Sequence, residues 1–301
     1  RDAEARRAFL ASDRFDLASV TKLFTATAAL RLVSLGRLAL GDRIAEVLDL
    51  TRPDLAKALA RVDIAALLSH SSGLHYWYPF YVRKGEAFED ILAEVLKATP
   101  IKPEVIYSDL NFILLGKALE AVTGLGLREA MADLVLGPLG LAHTGYSPVA
   151  CEGTVASEFG NRIEEGMVAA LGLGFSGWRT RDRGLCGEAD DGNCHYYFGG
   201  ASGHAGLFAD ARDLAALGRL WLGGGRLGAV PGEGQAFIDP GIAAEASRDQ
   251  GGGRGLGFQL GENYPGGGYG HTGFTGSYLH INGPRGLVIA GHASRLHVAE
   301  P

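Results

Sequence analysis

The sequence predicts an α+β fold: an antiparallel β-sheet flanked by helices, joined to a mainly helical region. Three observations carry this. Apolar side chains recur at helical period through much of residues 19–141, while the tail after Leu256 alternates quickly between turns and short apolar runs. Helices come first and strands last, without the strand–helix alternation of a parallel sheet. No internal repeat occurs. A single domain over 1–301 is expected, with 1–41 and 204–301 forming the α/β region and 42–203 a helical and loop region.

Residues 1–14 are charged and read as a surface lead-in. From Ser19 to Leu35 the positions Val20, Leu23, Phe24, Thr27, Leu30 and Val33 follow helical period, and Gly36 closes the segment. This helix is apolar on most sides, which marks it as buried. Asp63 to Leu68 predicts a short helix running into the polar turn Ser69-His70-Ser71-Ser72-Gly73, where His70 and Ser72 hold the turn. The aromatic run Tyr76-Trp77-Tyr78-Pro79-Phe80-Tyr81 reads as a loop packed on the core or as the wall of a cleft. Phe88 to Ala98, Leu110 to Val122 (ended by Gly124) and Leu127 to Val135 predict further helices. Residues 147–203 carry no sustained period and read as irregular, a length of loop that tends to be functional or mobile. Asp210 is placed to cap a helix to Leu222. Strands are expected at Leu256–Leu260, Gly268–Thr272, Ser277–Ile281 and Leu287–Ala290, with Asn282-Gly283 as a hairpin turn.

The 301 residues are 47% hydrophobic and 21% charged, enough for a sizeable core. A formal charge of -6 and the lack of a basic run exclude a nucleic-acid binder. No apolar run has the length of a membrane span. The chain opens at Arg1 with neither initiator methionine nor signal peptide, so an N-terminal piece is expected to have been removed or left out. Three cysteines form neither a disulfide scaffold nor a metal pattern; Cys186 and Cys194 flank a polar loop and either pair in an exported protein or remain thiols. Both G-x-G-x-x-G matches, at Gly172 and Gly268, lack a βαβ context, and neither G-x-S-x-G nor H-E-x-x-H occurs. No metal or cofactor is expected.

One pair of residues points to chemistry. Ser19 and Lys22 lie three apart at the start of a helix, which puts both side chains on one face. A serine hydroxyl becomes a nucleophile when a neighbour takes its proton, and a lysine kept neutral by burial or a nearby cation is one such neighbour. The backbone N–H groups of a helix N-terminus add a place to stabilise an oxyanion.

Taken in order, Ser19-Val20-Thr21-Lys22, Tyr107-Ser108-Asp109 and His271-Thr272-Gly273 resemble the S-x-x-K, Y-A/S-N and K/H-T-G motifs of the penicillin-recognising serine hydrolases. The match is to the class C β-lactamase and DD-peptidase branch with its esterase relatives. The stretches 15–22, 67–74, 203–208 and 271–276 resemble the same branch. That resemblance implies that Ser19 forms an acyl-enzyme, that Lys22 and Tyr107 share the work of the base, and that the backbone N–H groups of Ser19 and Phe274 form the oxyanion hole. It places Asp109, His271, Thr272 and Gly273 at the substrate, His271 and Thr272 meeting a carboxylate or carbonyl and Gly273 leaving room along the strand edge. Asp109 stands where the family has Asn; it either caps the helix from Leu110, or it retunes Lys22 or repels an anionic substrate. His271 in place of lysine favours the peptidase side. His204 and Asn193 fall near the cleft by the resemblance alone.

The family also carries a helix and strands before S-x-x-K and a helix after the last strand. With 18 residues before Ser19, these N-terminal strands and the C-terminal helix are expected to be missing from this chain. The implied activity is hydrolysis of an amide or ester in a small-molecule or peptide substrate, DD-peptidase-like first. A carboxylesterase or β-lactamase of the same fold comes next, and a binding homologue that has lost turnover is the reading from another class. The resemblance leans towards a periplasmic or secreted protein and leaves the oligomeric state open.

Overall fold

A computed structural model describes residues 8–228 and 233–296. Eleven α-helices and eight short strands run in the order β1 (Phe15–Asp16), α1 (Thr21–Ser34), α2 (Ile44–Val47), α3 (Pro53–Leu59), α4 (Ile64–Leu68), α5 (Phe88–Ala98), α6 (Asp109–Thr123), α7 (Leu127–Met131), α8 (Gly137–Leu139), β2 (Gly145–Tyr146), α9 (Arg162–Ala170), β3 (Leu207–Ala209), α10 (Ala211–Leu222), β4 (Arg226–Leu227), β5 (Gln235–Ala236), α11 (Pro240–Ala246), β6 (Tyr269–Thr272), β7 (Tyr278–Asn282) and β8 (Leu287–Gly291) among the described residues. All strand pairs are antiparallel: β1-β3-β2, β4-β5 and β6-β7-β8. The molecule is α+β, as the sequence predicts.

Helix α1 is the centre of the core. Every residue from Thr21 to Leu30 is buried, Lys22 included. It packs on α6 and on the helical stretch after α7, where a five-residue π-helical turn (Ala132–Leu136) links α7 to α8. The segment 203–206 threads between α1 and α6: Thr25 Oγ1 donates to the Gly203 carbonyl at 2.7 Å, and a Cβ on Gly203 would lie 2.1 Å from the Phe112 carbonyl oxygen. Only glycine fits that crossing. Helix α10 covers β7 and β8, and Gly218 brings it close, since a Cβ there would meet Val288 Cγ1 at 2.5 Å.

The helices at 64–68, 88–98, 109–123 and 211–222 fall where period and caps placed them. The side chains of Asp63 and Asp210 accept the N–H groups of Ala66 and Asp213 as N-caps. Three expectations are corrected. Leu256–Leu260 is no strand; Gln259 makes only isolated bridges to Arg254 and Gly270, because Gly255 and Gly257 break the extended run. The irregular stretch 147–203 holds helix α9, whose Glu-Glu-Gly interior hides its period. Cys186 pairs with Cys151, Cα–Cα 5.3 Å, and not with Cys194, which is a buried thiol donating to the Ala205 carbonyl at 3.3 Å.

Candidate active site

Strand β1 runs into a tight turn in which Leu17 and Val20 are buried and Ala18 takes φ +44°, left-handed for a residue with a side chain. Ser19 follows at the rim of the core, and a single 3-10 turn carries the chain into α1. Lys22, one turn on, is wholly buried beneath it. Its Nζ donates to Ser19 Oγ at 2.8 Å and to the His204 carbonyl at 3.2 Å. The Tyr107 hydroxyl donates to the same Ser19 Oγ at 2.8 Å. Sequence positions 88 residues apart thus meet on one oxygen.

The turn before α6 delivers Tyr107, and His70 holds that turn. Its Nδ1 faces the Ser108 N–H at 3.1 Å and Asn111 Nδ2 at 3.0 Å, and Ser72 Oγ donates to Asn111 Oδ1 at 2.5 Å. His70 and Ser72 therefore hold the backbone, as their sequence position suggests. Burial and the nearby Lys22 and Arg254 keep the His70 imidazole well below its usual range, hence neutral. The Arg254 guanidinium lies 5.0 Å over the Tyr107 ring and Lys22 Nζ lies 5.1 Å from its centroid, so two cations face one phenol.

Asp109 does not spend its carboxylate on capping. Ser108 is the residue before α6, and Asp109 Oδ1 instead sits 2.8 Å from Lys22 Nζ. Burial alone pulls a lysine ammonium down, but Asp109 and Tyr107 outweigh it and hold Lys22 above its ordinary value. Lys22 rests as an ammonium here, the opposite of the neutral lysine that burial alone suggests.

A cavity of about 260 Å³ opens beside Ser19. Its walls are aromatic and apolar (Tyr76, Trp77, Ile163, Met167, Phe274) and acidic (Asp109, Glu164, Asp190, Asp191). The aromatic run serves both expected ends: Tyr76 and Trp77 face the cavity, whereas Phe80 and Tyr81 are core. Asn193 pins this run, accepting from the Phe80 N–H at 2.7 Å and donating to the Tyr78 carbonyl at 2.8 Å. His204 Nε2 meets Asp191 Oδ1 at 2.9 Å and its Nδ1 meets Ser202. Burial pushes the Asp191 carboxyl up, but His204 and the Cys194 N–H outweigh it and keep it below the usual range. Asp109, Asp191 and His204 hold ligand atoms within 4.8 Å of one another. The Lys22 ammonium already supplies a cation to Asp109 there.

The third motif meets the turn that carries Ser19. A Cβ on Gly273 would lie 2.5 Å from the Leu17 carbonyl oxygen, so this glycine makes room for the chain's own backbone. Phe274, half exposed, reaches the cavity. Thr272 is exposed, its hydroxyl 3.5 Å from Gln259 Oε1. His271 is buried behind it, with Nδ1 2.7 Å from the Thr272 carbonyl. Burial, then Lys22 and Arg254, pull its pKa down to about 3, so it is a neutral ring and no partner for a carboxylate by charge. Glu164, Asp190, Asp191 and Arg254 escaped sequence reasoning, since they sit in stretches without period or motif.

A buried helix that opens beneath a serine–lysine–tyrosine cluster, set between an antiparallel sheet and a helical region, is the architecture of the β-lactamase and penicillin-binding protein fold. The beta-lactamase family model matches residues 1–301, and the chain belongs to that family of hydrolases. A candidate D-alanyl-D-alanine carboxypeptidase of Salmonella paratyphi A is 30% identical over 317 residues, covering 95% of this chain and 71% of that protein. Among solved structures, a hydrolase with promiscuous acyltransferase activity superposes with TM-score 0.68 at 21% identity, over 96% of this chain and 82% of the other. A penicillin-binding protein homologue from Caulobacter crescentus gives TM-score 0.64 at 22% identity, over 96% and 79%. No single helix among the described residues is long and apolar enough to cross a membrane.

Proposed function

We propose that this chain is a serine hydrolase that opens an amide or ester through an acyl-enzyme on Ser19, with a peptide ending in D-amino acids as the leading substrate. The observation that carries the reading is the convergence of Lys22 Nζ and the Tyr107 hydroxyl, each 2.8 Å from Ser19 Oγ, beside an open cavity. That geometry favours turnover over a cleft kept only for binding. The relatives named above, a carboxypeptidase candidate and a hydrolase, support the reaction class.

The roles divide by charge. Lys22, held as an ammonium by Asp109, steadies the Ser19 oxygen and has no lone pair to act as base, so the proton of Ser19 passes to the Tyr107 oxygen once that hydroxyl has released its own proton to solvent. Ser19 Oγ bonds to the substrate carbonyl carbon, whose π pair moves onto oxygen. The backbone N–H groups of Ser19 and Phe274 are the assigned donors to that oxyanion. Collapse expels the amine or alcohol, which takes the proton from Tyr107. Water then loses a proton to Tyr107, opens the ester and releases the acid, and Ser19 recovers its hydrogen.

Intact-mass spectrometry tests this. Incubation with a fluorophosphonate and, separately, a labelled penicillin should each add one adduct at Ser19, and Ser19→Ala should abolish both. The fluorophosphonate adduct alone would turn the reading to an esterase. Folded protein with neither adduct would refute catalysis by Ser19.

A further inference from the structure

Asp16 ties together the three backbone segments that border the cavity. Its Oδ1 accepts the Ala18 N–H at 2.8 Å, and Ala18 is the strained residue before Ser19. Its Oδ2 accepts the Asp190 N–H at 2.7 Å, next to Asp191 on the cavity wall. Its backbone carbonyl accepts two hydroxyls, Thr275 Oγ1 at 2.7 Å and Ser277 Oγ at 3.0 Å, from the turn that carries Phe274. Asp16 is 4% exposed, and Thr275 and Ser277 are buried with it. Each bond lands within three residues of Ser19, Asp191 or Phe274, yet Asp16 itself does not line the cavity.

We propose that Asp16 is a positioning residue: it sets Ser19, the Phe274 turn and the Asp190–Asp191 wall relative to one another through these four hydrogen bonds. This rests on the reading of Ser19 as nucleophile. A carboxylate suits the task because one rigid group offers two acceptor oxygens to two N–H donors from different segments. An alanine here removes both side-chain links. An asparagine keeps the acceptor for Ala18 and turns an NH₂ towards the Asp190 N–H, where it cannot accept. The turn before Ser19 holds a left-handed alanine, a conformation that persists only where its surroundings over-determine it. Small displacements of reacting groups cost rate more than binding, on the order of 100-fold for about 1 Å.

The test uses the full chain, p-nitrophenyl butyrate turnover and active-site titration with a fluorophosphonate, in the unmodified enzyme and in Asp16→Ala, Asp16→Asn and Thr275→Val. Per titrated site, kcat of Asp16→Ala is expected to fall about 100-fold with KM changed by no more than about threefold. Asp16→Asn should recover about a tenth of the lost rate or more, and Thr275→Val should lower kcat several-fold. If Asp16→Ala does not fold, the other two variants decide by the same split. A purely structural role lowers the titratable fraction and leaves kcat per site within about twofold, or moves KM alone; either result overturns the proposal. Failure of the nucleophile reading is recognised separately, in protein that keeps Asp16. There Ser19 would take no adduct, or Ser19→Ala would turn over the ester normally, and the positioning role would fall with it.

Discussion

Lys22 and Asp109 form an ion pair whose lysine end is wholly buried, so removing one partner leaves the other uncompensated. The sign of the effect on pH dependence follows. Asp109 favours the ammonium, so Asp109→Asn lowers the Lys22 pKa and brings loss of the ammonium to lower pH. The alkaline limb of kcat/KM should shift down by at least about one unit. A limb that stays in place would mean that the charge on Lys22 is not required. The residues of this site were legible in the sequence as types and spacings: Ser19, Lys22, Tyr107 and Asp109 do converge. Their charge states were not, because burial alone argues for a neutral lysine and the contacts with Asp109, then Tyr107, reverse that. His271 shows the same limit, since nothing in His-Thr-Gly says that the ring is turned into the core.

At the scale of elements, helix α9 makes one wall of the cavity through Ile163, Glu164 and Met167, and the Cys151–Cys186 bond closes the loop that contains it, 35 residues apart in sequence. Replacing both cysteines with serine should cost about 2–4 kcal/mol in urea unfolding. It should also raise KM more than it lowers kcat, because the wall moves while the Ser19 cluster stays. An unchanged KM would show that α9 holds its place without the tie. The same region gathers buried acids. Burial, then Asp190, pushes Glu158 up to about 8, against the pull of Arg179, Arg162 and Arg181; burial also lifts Asp190 to about 6. A raised carboxyl binds its proton more tightly when folded, so its contribution is present below the unfolded pKa near 4.5 and lost as pH rises towards 8. Glu158→Gln should therefore stabilise the protein at pH 8 relative to pH 6, by on the order of 1 kcal/mol or more, measured as the shift in unfolding midpoint. Equal shifts at both pH values would contradict it. Neither α9 nor the disulfide partner was legible: a nine-residue helix with glycine inside gives little period, and spacing does not tell which of three cysteines pair.

Over the whole molecule, the crossing of segment 203–206 between α1 and α6 locks the helical core to the sheet. Gly203→Ala sets a Cβ against backbone on α6 that cannot yield locally, so a loss of at least about 1–3 kcal/mol is expected in thermal or urea unfolding. A neutral result would mean that the segment can slide. The order of elements, helices then antiparallel strands, was readable because period and turn residues are local. The close approaches at Gly203, Gly218 and Gly273 were not, since each involves a partner far along the chain. The pairing of Lys22 with Asp109 has one more consequence for a catalyst that must survive many turnovers. If Ser19 carries an acyl ester, a neutral amine 2.8 Å from the serine oxygen has a lone pair that can compete with water for the acyl carbon, and the resulting amide would not hydrolyse readily. An ammonium has no lone pair to do so. On the proposed mechanism, the carboxylate that keeps Lys22 protonated would thereby shield the acyl-enzyme from its own lysine.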